Sequence, residues 1–84
     1  MTKDEIADFC VVSLARILRV GSNAIDTKAK FNRLGLDSAM MVYLLMDLEE
    51  KLGLELSPDS FYDYPTVHDL SGYLAEQHAA RSSA

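Results

Sequence analysis

Tryptophan is absent, cysteine occurs once, and only two prolines and four glycines interrupt the 84 residues. The single cysteine, Cys10, excludes a disulfide framework within the chain. Basic side chains are scarce: eight Lys and Arg stand against thirteen Asp and Glu, for a formal net charge of −5, and nucleic-acid binding through a basic face is set aside. No apolar run reaches the length of a membrane span, and the opening MTKDEIADF lacks the charged-then-apolar order of a secretory signal. A cytoplasmic protein without a membrane partner is the expectation. No stretch alternates polar and apolar residues long enough to form a strand, and no internal repeat is present.

What remains is ordinary globular composition, 49% hydrophobic and 25% charged. At this length the chain reads as a single domain over 1–84, ordered over about 3–78, with a small polar tail, 79–84, that frays. A packed helical bundle is within reach of such a core, whereas a deep enzyme cleft is not expected. The charge is uneven. Residues 1–36 carry a net +2, residues 37–76 set Lys51 against nine acids for a net −8, and Arg81 adds +1. A basic partner would be steered to the second half.

Hydrophobic spacing predicts three longer helices and one short one. Thr2 and Glu5 form a capping-box pattern ahead of a helix over 3–19, whose stripe is Ile6, Phe9, Cys10, Leu14, Ile17 and Leu18, with Gly21 as the stop. Cys10 falls on that stripe and reads as core. Residues 20–37 form a long connection, with Ile25, Phe31, Leu34 and Leu36 as inward anchors. A second helix covers 38–52, ended by Gly53, and Met41, Leu44, Leu45, Leu48 and Leu52 form its core face. Its leftover apolar residues Ala39, Val42, Tyr43 and Met46 gather on another arc, with Glu49 and Glu50 at its lower end; in so small a domain that arc suits a partner. Ser57 and Pro58 open a short turn or helix that ends at Tyr64-Pro65. Thr66 caps a last helix from Val67 to about His78, with Val67, Leu70, Tyr73 and Leu74 inward.

The most distinctive stretch is 31–52, where a loop delivers Ser38 to a helix start. Unpaired backbone N–H groups and the positive end of the helix dipole lie there, so a group that becomes anionic on Ser38 would be stabilised. Leu34-Gly35-Leu36-Asp37-Ser38 resembles the attachment motif of the acyl carrier proteins and peptidyl carrier domains, and Phe61-x-x-Tyr64-Pro65-Thr66-Val67 resembles the segment joining their third and fourth helices. The resemblance covers the chain from the first helix to Leu74. It implies an all-α four-helix bundle of acyl-carrier type, with a long loop between helices one and two. It implies that Ser38 accepts 4′-phosphopantetheine from coenzyme A through a phosphopantetheinyl transferase and carries thioester cargo on the terminal thiol, as a monomer that is not itself an enzyme. Asp37 matches the aspartate that assists the transferase by ligating its magnesium, a hard cation suited to carboxylate oxygen. Gly35 and Leu36 belong to the same cofactor-binding motif.

Two departures shape the expected partners. Ala39 stands where the family often has leucine, and Met40 and Tyr43 stand where fatty-acid carriers often place acids. Docking of acyl-loading and acyl-processing enzymes on helix two is therefore expected to mix apolar contact at Ala39, Val42, Tyr43 and Met46 with the charges of Glu49 and Glu50. The pathway is expected to be polyketide, fatty-acid-like or otherwise specialised, with an aminoacyl or peptidyl carrier as the alternative. Leu48, Phe61, Leu70 and Tyr73 either shelter an acyl chain or are plain core, and near-complete caps at both ends favour a free-standing protein. A serine hydrolase is disfavoured because the Gly-x-Ser-x-Gly elbow is missing and His68 and His78 read as surface residues. His68 and Asp69, adjacent on a helix, do not make a metal site. A non-covalent helical adaptor would explain the second arc but not the placement of Ser38.

Overall fold

The computed structural model describes residues 1–82. In chain order, α1 spans Lys3–Leu18, α2 Ser38–Leu52, α3 Ser60–Asp63 and α4 Val67–Ser82, and two 3-10 turns, Ser22–Ala24 and Phe31–Leu34, interrupt the α1–α2 loop. Among the described residues the only bridge is an isolated antiparallel pair between Lys30 and Thr66. The fold is all-α, three long helices and one short, as the spacing predicts.

The capping box of α1 forms: Thr2 Oγ1 accepts from the Glu5 amide at 3.2 Å and Glu5 Oε1 from the Thr2 amide at 2.9 Å. The backbone N–H of Thr2 holds the Glu5 carboxyl below its ordinary range. The end of α1 differs from expectation. Arg19, not Gly21, turns left-handed (φ 58°) and its N–H reaches the carbonyls of Ala15 and Arg16. At the other end of the chain α4 continues past His78 to Ser82, since Ala79 and Ala80 are good helix formers and Arg81 hydrogen-bonds the Gly53 carbonyl that closes α2. Ser83 and Ala84 lie outside the described residues. α3 starts two residues after Pro58, which instead sits in a turn where Ser57 Oγ accepts from the Asp59 amide.

The core is one cluster. Ile6, Cys10 and Leu14 of α1, Leu44, Leu45, Leu48 and Leu52 of α2, and Val67, Leu70 and Leu74 of α4 are all buried, with Ile25, Phe31, Leu36 and Phe61 sealing the loop end. Phe31 and Phe61 meet edge to face, centroids 5.4 Å apart. Burial pushes the Cys10 thiol up to about 12, as a desolvated thiol is harder to ionise. Leu48 and Leu70, read as either shelter or core, are core. Tyr73 is half-buried and stacks on Tyr64 at 4.3 Å. Met41 and Leu34 are only half-buried and pack against the edge of this core.

The loop is held to the far end of the fold. The Phe31 amide donates to Pro65 O and the His68 amide to Thr27 O, both at 2.9 Å, on either side of the Lys30–Thr66 bridge. These bonds satisfy backbone groups that a structureless connection would leave to water. They fix the approach to α2.

Candidate functional site

α2 opens on Asp37 and Ser38, and the two side chains take separate roles. Asp37 is the N-cap, with extended backbone and Oδ1 accepting from the Met40 amide at 2.9 Å. Ser38 is the first helical residue and is exposed, and its hydroxyl makes no hydrogen bond among the described residues. A serine that served the helix would show a bond from its oxygen to an amide in the first turn; here the aspartate makes that bond. The first-turn amides of Ser38 and Ala39 have no carbonyl one turn behind them, and no acidic residue stands in this turn of α2. An oxyanion bonded at Ser38 meets amide donors there, with the Asp37 carboxylate as the one negative neighbour in the sequence on that side.

Gly35 closes the second 3-10 turn at φ 92°, in the left-handed region that favours glycine. A Cβ at that position would meet nothing within 4 Å, so it is the turn, not close approach, that calls for glycine. Leu36 is buried, 7% exposed, and anchors the loop from below, leaving only its backbone beside the serine.

The second arc of α2 faces solvent. Val42, Tyr43 and Met46 are 45%, 60% and 56% exposed, large values for apolar side chains, and Ala39 is exposed beside them. The two glutamates of that arc part company. Glu49 Oε2 accepts from the Leu56 amide at 3.0 Å, tying the chain after Gly53 back to the helix, while Glu50 is exposed. On the neighbouring face Arg16 of α1 pairs with Asp47 at 2.6 Å.

Two shallow apolar troughs lie at this end of the fold, and Ser38 lines one of them. One, about 120 Å³, is lined by Ser38, Met41, Val42, Pro58, Phe61 and Tyr62. The other, about 140 Å³, is lined by Lys30, Phe31, Asn32, Met41, Phe61, Tyr62 and Pro65. Tyr62, 79% exposed, borders both and escaped the sequence reading; a four-residue helix is too short for periodicity to say which of Phe61 and Tyr62 points outward. Of the residues read as a possible shelter, only Phe61 lines these troughs. The histidines are engaged elsewhere: His68 Nε2 lies 3.4 Å from Lys3 Nζ and His78 Nδ1 lies 3.2 Å from the N-terminal amine. Among the described residues no group of His, Cys, Asp and Glu is placed to hold a metal ion.

A helical bundle that presents an unbonded serine at a helix start, beside apolar troughs, is the architecture of a carrier domain. Residues 11–74 match the phosphopantetheine attachment site family, and the chain belongs to that family. It is 31% identical over 75 residues to polyketide synthase PksN of Bacillus subtilis and 39% identical over 75 residues to 6-methylsalicylic acid synthase of Aspergillus terreus, covering 89% and 88% of this chain. It spans only 1% and 4% of the length of those two synthases. Among solved structures it is similar to a free-standing peptidyl carrier protein of an Acinetobacter baumannii secondary metabolic pathway, with TM-score 0.87 and 34% identity over 90% of this chain and 95% of that one. The HMG-ACPI domain of the CurA module of Lyngbya majuscula is similar too, with TM-score 0.87 and 32% identity over 96% of this chain and 82% of the other. The family holds 4′-phosphopantetheine covalently on a serine and is generally non-catalytic, and carrier domains of this kind interact with phosphopantetheinyl transferases and biosynthetic enzymes.

Proposed function

We propose that Ser38 is the attachment point, and that the chain is a non-catalytic carrier whose arm presents thioester-bound acyl intermediates to separate enzymes in a polyketide-type or other specialised pathway. The observation that carries this is the exposed Ser38 hydroxyl, left without a hydrogen bond because Asp37 does the capping. In the loading step the Ser38 oxygen bonds to phosphorus, the phosphoanhydride of coenzyme A breaks to release adenosine 3′,5′-bisphosphate, and the hydroxyl proton leaves to a base of the transferase. Asp37 keeps Oδ2 free of the capping bond, in a position to bind the transferase's magnesium. The resulting phosphodiester sits at the start of α2, where amide donors and the dipole favour it.

Partner enzymes dock on Ala39, Val42, Tyr43 and Met46, with Glu50 as the free charge and Glu49 holding its bond to Leu56. The domain occupies the described bundle and works as a monomer in the cytoplasm; among the described residues no helix is long and apolar enough to cross a membrane. A peptidyl cargo is the second reading, favoured by the likeness to the peptidyl carrier protein over nearly its whole length. The test is loading with coenzyme A, magnesium and a broad-specificity transferase, followed by intact mass. Wild type gains one phosphopantetheine and Ser38→Ala gains nothing. Failure of the wild type with several transferases would return the chain to the non-covalent adaptor class.

A further inference from the structure

A thioester is an acyl donor to any free amine that reaches it. The four lysines of the chain differ in how free they are. Lys3 Nζ lies 3.4 Å from His68 Nε2, and Lys51 Nζ stands 5.7 Å from the centroid of the Phe9 ring. Lys28 and Lys30 are exposed, and neither ammonium has a hydrogen bond or ion pair among the described residues. No acid stands between Thr27 and Leu36 to engage them within their own loop. Of the four, only Lys30 lines a trough at the serine end of the fold, and that trough shares Met41, Phe61 and Tyr62 with the one that Ser38 lines. Ser38 and Lys30 thus border adjoining surfaces.

We propose that Lys30 is a modification site that takes acyl groups from the thioester on this protein's own arm. This rests on Ser38 carrying the arm. After the ammonium gives one proton to solvent, the Lys30 nitrogen bonds to the thioester carbonyl carbon. The carbon–sulfur bond breaks, and the proton shed by nitrogen ends on the departing sulfur. The product is an amide where a cation stood, and an arm whose thiol is free again. Reach does not limit the step: the arm has the backbone length of roughly four to five residues, about 15 Å extended, and the molecule is 22 × 20 Å across its shorter axes. What selects Lys30 is freedom from other contacts together with its place beside the serine. Tethering supplies the rate, since a short flexible link gives an effective concentration on the order of 1 mM.

The experiment loads wild type and Lys30→Arg with butanoyl coenzyme A through the transferase, removes excess reagent, incubates, and adds hydroxylamine, which cleaves thioesters and spares amides. Intact mass and tryptic peptides then read the acyl group that remains. Wild type is expected to keep butanoyl on the peptide 29–33, uncut at Lys30, formed at a first-order rate that does not change on dilution. Its yield is expected to be about tenfold above that of Ser38→Ala held with ~0.1 mM butanoyl coenzyme A. Lys30→Arg, which keeps the charge at an exposed position, is expected to lose this product. Acyl groups spread evenly over the four lysines, a rate that falls on dilution, or an equal yield in Ser38→Ala overturns the acceptor. A wild type that gains no arm overturns the attachment reading and the acceptor with it, whereas an arm that loads and leaves no hydroxylamine-resistant acyl group overturns the acceptor alone.

Discussion

The inward and outward faces of α2 are made of similar side chains and have opposite environments. Leu44, Leu45, Leu48 and Leu52 are buried against α1 and α4, while Val42, Tyr43 and Met46, on the same four turns, stand in water. The inward face is stabilised by removing apolar area from solvent, at about 25 cal/mol per Å². The outward face contributes little of this and gains only when something covers it. Hydropathy alone cannot separate the two, because both arcs follow the helical period. Depth separates them, and depth comes from the one core cluster that residues of α1, α2 and α4 share.

The sharpest break between the faces is in chemical access. Cys10 packs within the core beneath α2, and its thiol is raised to about 12 by burial. Alkylation of native protein by iodoacetamide should run at least ~10³-fold slower than in denaturant, at a rate set by the small unfolded fraction; equal rates would show that the inward face is open. Next is stability. Leu48→Ala is expected to cost about 2–5 kcal/mol in denaturant unfolding, and Tyr43→Ala to stay within ~0.5 kcal/mol while slowing loading of the arm-bearing protein by partner enzymes. Comparable stability losses would erase the distinction between core and docking face.

The helix start gives a smaller contrast. Asp37→Ala should cost about 1 kcal/mol, the usual worth of an N-cap, and Ser38→Ala a few tenths, since its hydroxyl holds nothing. The smallest effect is at α1. The folded-state pKa of Glu5 is depressed, so its capping contribution is present above the ordinary value of 4.5 and disappears as pH falls through the lower folded value. The difference in Tm between wild type and Glu5→Ala should therefore shrink as pH falls below 4.5.

Much of this was legible before any coordinates. The limits of α2 follow from Asp37-Ser38 and Gly53, and the capping box at Thr2 and Glu5 is local chemistry that a sequence displays directly. The motif around Ser38 pointed to an attachment site for the same reason: its parts are contiguous. What stayed hidden depends on contacts across the chain. Arg19 ends α1 in place of Gly21, because the stop lies at the residue that turns left-handed and not at the nearest glycine. Glu49 reads in the sequence as a docking charge; what the sequence does not display is the bond it accepts from a backbone amide seven positions on, beyond the end of α2.

The hydrogen bonds from Phe31 to Pro65 and from His68 to Thr27 also order events in time. Residues 65–68, which hold the loop ahead of Ser38, belong to the far end of the chain, so the loop gains these partners only as the last helix folds against it. Until they dock, the approach to the serine lacks its backbone partners and α2 lacks its fixed entry. Loading by an enzyme that reads this loop is therefore expected to require the folded bundle, last helix included.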